Sequence, residues 1–324
     1  MALSNLANAA LKPFGLHIQR TPKSVVDTRC LTLRPAGEPR GRVLFAYILE
    51  PLLHIDQAPA AGHTHNLESV LMAKTWLDRG FVVDAIDYRN NIFEPVEHYD
   101  WFTGARLYFA EVASRLPARA RKIVHLDTSH FAVNNGEAYA RLAACQRRRG
   151  SSPYDSIRLI EHSAAIDAAD FGIVLGNKVT EETYGFAGRP LFRLDVPSVI
   201  ECAIPEAKSW DHVRNRFLWL GSQGALHKGL DIVLEAFARM PDKQLTICGS
   251  FDHEPSFVEA FRTELALPNV QTTGWIDVAG EALTKPGTQQ HCARLSLLRG
   301  GSGWRGRQLH QVRADPHCQS LLRD

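Results

Sequence analysis

The stretch Phe217–Asp277 opens with FLWLGSQGALHKGLDIVLEAFARMPDKQLTICGS (217–250) and closes with PNVQTTGWID (268–277). It decides the fold. An apolar run ends at a glycine turn, an amphipathic helical period follows, and a second apolar run ends again at glycine. A further helical stretch leads to a short strand at 270–274. The alternation of buried strand and helix is that of a parallel sheet with helices packed on its faces. The turn Gly221–Gly229 (GSQGALHKG) sets glycines and one lysine just ahead of a helix. Glycines let backbone N–H groups approach a ligand, and a helix N-terminus carries partial positive charge, so this is a place suited to a phosphate.

The same alternation runs upstream. Val43–Leu49 is a continuous apolar strand, and Asn66–Arg79 carries apolar residues at helical spacing up to Gly80, a natural C-cap. Phe81–Asp87 reads as a strand, Arg106–Leu116 as a helix and Lys122–Leu126 as a strand. Gly136–Arg149 is helical in period, and Phe171–Leu175 is again a strand. Ile200–Arg216 is polar, aperiodic and proline-bearing, the expected connection between two αβ units. The expected organisation is therefore a first domain over 1–205, a second over 206–284, and a segment 285–324 with no helix or strand period. Two such units in tandem create a cleft between the carboxyl ends of two parallel sheets.

Composition narrows the function classes. The chain has 324 residues, 45% hydrophobic and 22% charged, which is ordinary for a globular protein of two domains. Residues 285–324 hold seven basic side chains against two acids, so this segment carries +5 and the remainder −3. A mildly acidic body gives no reason to expect nucleic acid as a partner. The six cysteines are scattered, without metal-ligand spacing, and fit a reducing, cytoplasmic compartment; Cys145 and Cys248 fall in apolar stretches as small core residues. No run is long enough for a membrane span, and the first residues lack the pattern of a signal peptide. Leu3–Leu16 fits either core packing or a peripheral contact with the inner face of a membrane.

Three pieces in order, FLWLGSQGALHKGLDIVLEAFA, LTICG and PNVQTTGWID, resemble the retaining glycosyltransferases of family 4 (glycosyl transferases group 1). The resemblance is strong over about 217–280, one of architecture over 42–200, and absent past 285. It implies the GT-B fold, two Rossmann-like domains facing across a cleft, here with the second incomplete. The implied activity is transfer of a hexose-type sugar from a nucleotide-diphosphate-sugar donor to a glycan or lipid-linked acceptor, with no cofactor and no obligatory metal. Lys228 resembles the lysine that binds the donor diphosphate, where fixed positive charge stabilises the departing group. Gly221, Gly224 and His227 share its turn. The family often has arginine after the first glycine; here that position is Ser222. Gly249, Trp275, Ile276 and Asp277 resemble the elements lining the nucleotide base pocket, with a core aromatic as the other reading of Trp275.

In the first domain the resemblance places acceptor and sugar near the loops Glu50–Asn66 and Asp127–Asn135. Asp127, His63 and His65 are the expected acceptor-side residues. His130 fits a sugar contact, with a part in catalysis beside Lys228, as well as it fits a hydrogen-bonded structural histidine. The His54, His63, His65 group lacks the spacing of a zinc site. The Arg147–Arg149 run at a helix end reads as a solvated face that complements the helix dipole. Asp84 and Asp87 have no GxGxxG before them, which removes a nicotinamide reading.

Past GWID, the resemblance implies a glutamate-glycine turn that contacts the donor sugar. Residues 299–319 lack it, but permitted codons for that segment read one nucleotide downstream give EGGAGGGVVNCIKSGLIPIVS, which contains such a turn and an apolar strand. The expectation is a frameshifted or truncated second domain and impaired transfer, tested by reading the gene around codons 280–300. Two other functions stand beside this one: a non-catalytic remnant or glycan- or nucleotide-binding module, and a nucleotide-sugar epimerase.

Overall fold

The computed structural model describes residues 26–57, 64–196 and 214–276, together with the backbone of 293–295. Leu3–Leu16, His63 and Asp277, and most of the expected connection at 200–216, lie outside the described residues. The mixed α/β organisation read from the sequence is present. A seven-stranded sheet has the order β1-β3-β2-β4-β5-β6-β7, and a four-stranded sheet the order β10-β9-β8-β11. The strands of the first are β1 (Cys30–Leu33), β2 (Gly41–Tyr47), β3 (Phe81–Asp87), β4 (Trp101–Ala105), β5 (Arg121–Leu126), β6 (Phe171–Leu175) and β7 (Leu191–Leu194). Those of the second are β8 (Arg216–Leu220), β9 (Gln244–Cys248), β10 (Val270–Gly274) and β11 (Ala293–Leu295).

All neighbours pair in parallel except β1, which runs antiparallel to β3 at one edge. In the first sheet the chain goes from β2 to β3 on one side, then returns past β2 to β4 on the other. The second sheet repeats this reversal around β8, with β9 on one side and β11 on the other. Each unit thus has a topological switch point, where open αβ sheets leave a crevice beyond the strand carboxyl ends. β11 lies in the segment expected to be without regular structure, and its pairing beside β8 departs from that expectation.

The helices are α1 (Thr64–Asp78), α2 (Phe109–Ser114), α3 (Phe131–Arg149), α4 (Ala165–Ala168), α5 (Lys178–Glu182), α6 (Leu230–Phe237), α7 (Pro255–Ala260) and α8 (Arg262–Leu265). After α1, Gly80 takes φ +82, a left-handed conformation that glycine adopts without a Cβ clash. Helix α3 starts five residues before the expected Gly136. Its polar AVNNG segment reads as a loop, but the Asn134 and Asn135 amides donate to the Arg158 and Ile160 carbonyls across the helix flank. Those long-range bonds give polar residues a helical place that no local period announces.

Apolar clusters fill both faces of the first sheet, one around Leu44, Phe102 and Val124 and the other around Phe45, Val83 and Val70. A third centres on Trp219, Leu234, Ile247 and Phe257 of the second unit, and it includes Cys145 with Leu142 and Ile157 packed against it. Cys145 and Cys248 are both buried, as expected. The carboxyl half of α3 therefore packs on the second unit, which corrects the reading of a solvated face at Arg148 and Arg149 and leaves Arg147 exposed as expected. Arg148 pairs with Asp231 at 2.5 Å and with Glu235 at 3.2 Å; Arg149 pairs with Glu264 at 2.6 Å and lies over the Phe261 ring. The acids that recruit these arginines stand more than eighty residues away in sequence. Among the described residues, no helix is long and apolar enough to cross a membrane.

Candidate functional site

The residues expected to meet a donor gather at the carboxyl edge of the second sheet. Gly221 follows β8, Gly249 follows β9 and Trp275 follows β10. The edge is tightly drawn: the Gly221 N–H donates to the Cys248 carbonyl at 3.0 Å, and the Gly249 N–H to the Gly274 carbonyl at 2.9 Å. A Cβ on Gly249 would stand 2.3 Å from the Gly221 carbonyl oxygen, so only glycine permits this approach of strand ends. Gly224 and Gly229 hold φ +92 and +80, and the second of them opens directly into α6. Lys228 is buried to 7% exposure, and its Nζ donates to the Ser222 hydroxyl. The serine in the usual arginine position is thus the lysine's own partner. His227 is buried in the same turn. Trp275 is 67% exposed, unlike a core aromatic, and Ile276 beside it is half-buried.

Four consecutive amides of the turn have acceptors inside the protein. The Gly224 and Ala225 N–H groups donate to the two carboxylate oxygens of Glu254 at 2.5 and 2.9 Å. The Leu226 N–H donates to the Ser156 hydroxyl oxygen at 2.8 Å, and the His227 N–H to the Ser156 carbonyl at 3.0 Å. The Ser156 hydroxyl in turn donates to Glu254. Glu254 and Ser156 are both fully buried. The expectation that the turn presents its amides to a ligand is therefore not met at 224–227, because a buried carboxylate already fills that concavity.

A second group of polar side chains lies at the carboxyl end of the first sheet, beside the β2/β4 switch point. Tyr47 ends β2, His125 lies near the end of β5, and His65 and Glu68 occupy the first turns of α1. One Glu68 oxygen, Oε2, accepts from the Tyr47 hydroxyl at 2.8 Å, lies 2.9 Å from His65 Nδ1 and stands 3.5 Å from His125 Nε2. Glu68, Tyr47 and His125 are buried. Burial alone would raise the Glu68 carboxyl, but the nearby His125 ring and the hydrogen bonds with His65 and Tyr47 outweigh it and hold the group well below the usual carboxylate range. Burial first, and the Glu68 charge second, push the Tyr47 phenol far up, so it stays a donor. His65, an expected acceptor-side residue, therefore enters a network that also contains three residues the sequence reading missed. The local signal was present: His65 and Glu68 share one helix face at a spacing of three, and KIVHL places a histidine in an otherwise apolar strand.

Asp127 follows β5 and accepts from the Arg106 guanidinium at 3.1 Å. Arg106 also stands 3.9 Å from Glu161, and Asp127 adds to the field that raises Tyr47. His130 lies immediately before α3. Its N–H donates to the Thr183 hydroxyl at 2.9 Å, and its ring sits among Phe131, Tyr184 and Phe186 at centroid distances of 4.4, 5.6 and 4.9 Å. Burial lowers its pKa against the opposing pull of Asp167. A small pocket between the β4–β5 edge and the start of α3 is lined by Arg106, His130, Glu161, Ser163 and Tyr184. Among the described residues, no group of three or more His, Cys, Asp or Glu side chains is arranged to hold a metal ion. Asp84 and Asp87 are occupied structurally, Asp84 by Arg42 at 2.6 Å and Asp87 by Arg89 at 2.9 Å.

No family model and no curated protein matches the chain. Among solved structures it is similar to the pneumococcal O-GlcNAc transferase GtfA in complex with UDP and GlcNAc, at 16% identity over 55% of this chain and 34% of that one, with a TM-score of 0.29. It is also similar to a GtfA/B complex, at 12% identity over 70% of this chain and 51% of that one, with a TM-score of 0.35. The chain thus spans about a third and about half of the length of those two chains. At that degree of superposition neither structure assigns a function to it.

Proposed function

We propose that this chain is a glycosyltransferase of GT-B type that takes its sugar from a nucleotide diphosphate. The observation that carries the reading is the gathering of Gly221, Ser222, Lys228, Gly249 and Trp275 at one carboxyl sheet edge, in the order and spacing of the sequence resemblance. The donor diphosphate lies against Lys228 and Ser222, with the base toward Gly249, Trp275 and Ile276. A glycan or lipid-linked acceptor lies on the first unit, near His65, Asp127 and His130. In the retaining form of the reaction, the bond from the anomeric carbon to the phosphate oxygen breaks and its electron pair leaves with the diphosphate. Lys228 stabilises that charge. The acceptor hydroxyl oxygen bonds to the anomeric carbon on the same face, and its proton passes to the departing phosphate oxygen. No cofactor enters this scheme.

Calorimetric titration with UDP and GDP tests it. One of the two binds, and Lys228→Ala weakens that binding by roughly 10–100-fold, the value of a hydrogen bond to a charged group. Equal binding by folded Lys228→Ala and wild type refutes the assignment. One observation favours a second reading, a nucleotide-sugar epimerase. The Tyr47, His65, Glu68, His125 cluster is an acid–base set that a retaining transfer does not require. Turnover of a nucleotide sugar without any acceptor decides for it.

A further inference from the structure

We infer that Glu254 and Ser156 are positioning residues for the donor diphosphate: they fill the amide concavity of the glycine turn permanently and so leave phosphate contact to Lys228 and Ser222. The inference rests on the donor-site reading above and goes beyond it in saying which groups of the turn do not bind. Turns of this kind attract anions because successive N–H groups converge on one point. Here the anion is supplied from within. Gly224 and Ala225 donate to Glu254, and Leu226 and His227 donate to Ser156, so no amide from 224 to 227 is left to converge on a phosphate.

Several bonds argue that the carboxylate is fixed rather than lodged there until a ligand arrives. The Glu254 carbonyl accepts from the Phe257 and Val258 N–H groups at 3.0 and 3.1 Å, which ties its backbone to the first turn of α7. The neighbouring Ser256 N–H donates to Asp155 at 2.9 Å, and its hydroxyl donates to the same carboxylate. Residues 155 and 156 therefore grip 254 and 256 at two points. A phosphate taking the Gly224 and Ala225 amides would leave the buried carboxylate with the Ser156 hydroxyl in place of three donors, an arrangement that burial disfavours. The Lys228 N–H donates to the Gly224 carbonyl at 2.9 Å, so fixing Gly224 fixes the backbone from which Lys228 reaches Ser222. Ser156 follows α3 of the first unit, so the grip also ties the donor turn to the first unit's chain.

Amide hydrogen exchange on the full chain, with UDP, GDP and inorganic pyrophosphate as probes, tests this. In the wild type, the amides of 224–227 are protected without ligand, and saturating nucleotide changes their rates less than about twofold. In Glu254→Ala those rates rise at least about tenfold. Affinity for the diphosphate and pyrophosphate falls about tenfold, while affinity for the parent nucleoside is unchanged. That split marks a positioning role, since a general loss of folding moves both. Ser156→Ala keeps the carboxylate in place, and its expected loss is smaller, about threefold. It serves where Glu254→Ala does not fold. The inference is overturned if nucleotide shifts the 224–227 amides as much as those of Ser222 and Lys228. It is overturned equally if both variants, folded by near-ultraviolet circular dichroism, bind diphosphate like the wild type. A folded wild type that binds neither UDP, GDP nor pyrophosphate removes the donor-site reading, and the positioning role with it. Binding with mobile 224–227 amides removes the inference alone.

Discussion

The carboxyl ends of the two sheets carry polar groups in opposite states. At the second sheet, the turn after β8 has closed on itself, with Glu254, Ser156 and four amides mutually satisfied. At the first sheet, hydrogen bonding is lopsided. One oxygen of Glu68 meets Tyr47 and His65 and has His125 Nε2 at 3.5 Å, while its other oxygen, both His125 nitrogens, Thr103 Oγ1 and Arg106 Nη1 are buried without a hydrogen-bond partner among the described residues. A satisfied network holds one geometry, and a buried polar group without a protein partner is costly unless water or a ligand meets it. The comparison sets a closed turn at the second sheet against a partly satisfied polar cluster at the first.

Breaking the Glu68 network is expected to have the largest effect on stability. Glu68→Gln retains the shape but removes the charge that Tyr47 and both histidines face, and about 3 kcal/mol is expected to be lost at neutral pH. The folded pKa of Glu68 is depressed, so its contribution is full above the ordinary carboxyl value of 4.5 and is lost as pH falls toward the lower folded value. Urea unfolding at about pH 4.5 and about pH 2.5, both below the ordinary histidine range so that the carboxyl is the group changing state, checks the sign. The gap between wild type and variant must narrow at the lower pH. A gap that stays constant across that range contradicts an ionised Glu68 with a depressed folded pKa.

Asp231 tests whether the two units are one mechanical body. It is 2% exposed and faces Arg141 at 3.3 Å and Arg148 at 2.5 Å, both from α3. Asp231→Ala leaves these guanidiniums without their buried partner and should lower stability by about 2 kcal/mol, less than a fully buried pair because Arg148 is partly in water. Thermal unfolding read by two probes gives the sharper result. If the grip is real, the variant separates the transitions of the two sheets while the wild type unfolds in one step. A single transition in the variant means the remaining contacts at Arg149 and Ser156 suffice.

What could be read in advance divides along range. Continuous apolar runs announced β2, β3, β5, β6, β8 and β9, because a strand buried on both faces has to be apolar throughout. Strand β4 escaped notice: WFTGA is short, and its Gly104 is there because a Cβ would press on Ala46 at 3.3 Å across the sheet. The Lys228 turn was legible from its own residues. Its occupation was not, since Glu254 comes thirty residues later and Ser156 seventy residues before Leu226. Arg148 and Arg149 failed for the same reason. A local charge pattern shows which end of a helix carries cations but not which distant acids will cover them.

The smallest expected effect falls on Trp275, where the two sheet ends differ in a further way. Beyond β10 a large aromatic ring is 67% exposed, while Tyr47, the ring of the Glu68 network, is buried. An exposed tryptophan contributes little to the fold, so Trp275→Ala should leave stability within about 0.5 kcal/mol of wild type. If its ring face receives the donor base, nucleotide affinity falls by roughly 2–10-fold, the range of a single aromatic contact. Affinity for pyrophosphate stays where it was, because the diphosphate rests on Lys228 and Ser222. The reverse pattern, stability lost and nucleotide affinity kept, makes the ring a packing residue for segments outside the described chain and moves the base to another edge of the sheet.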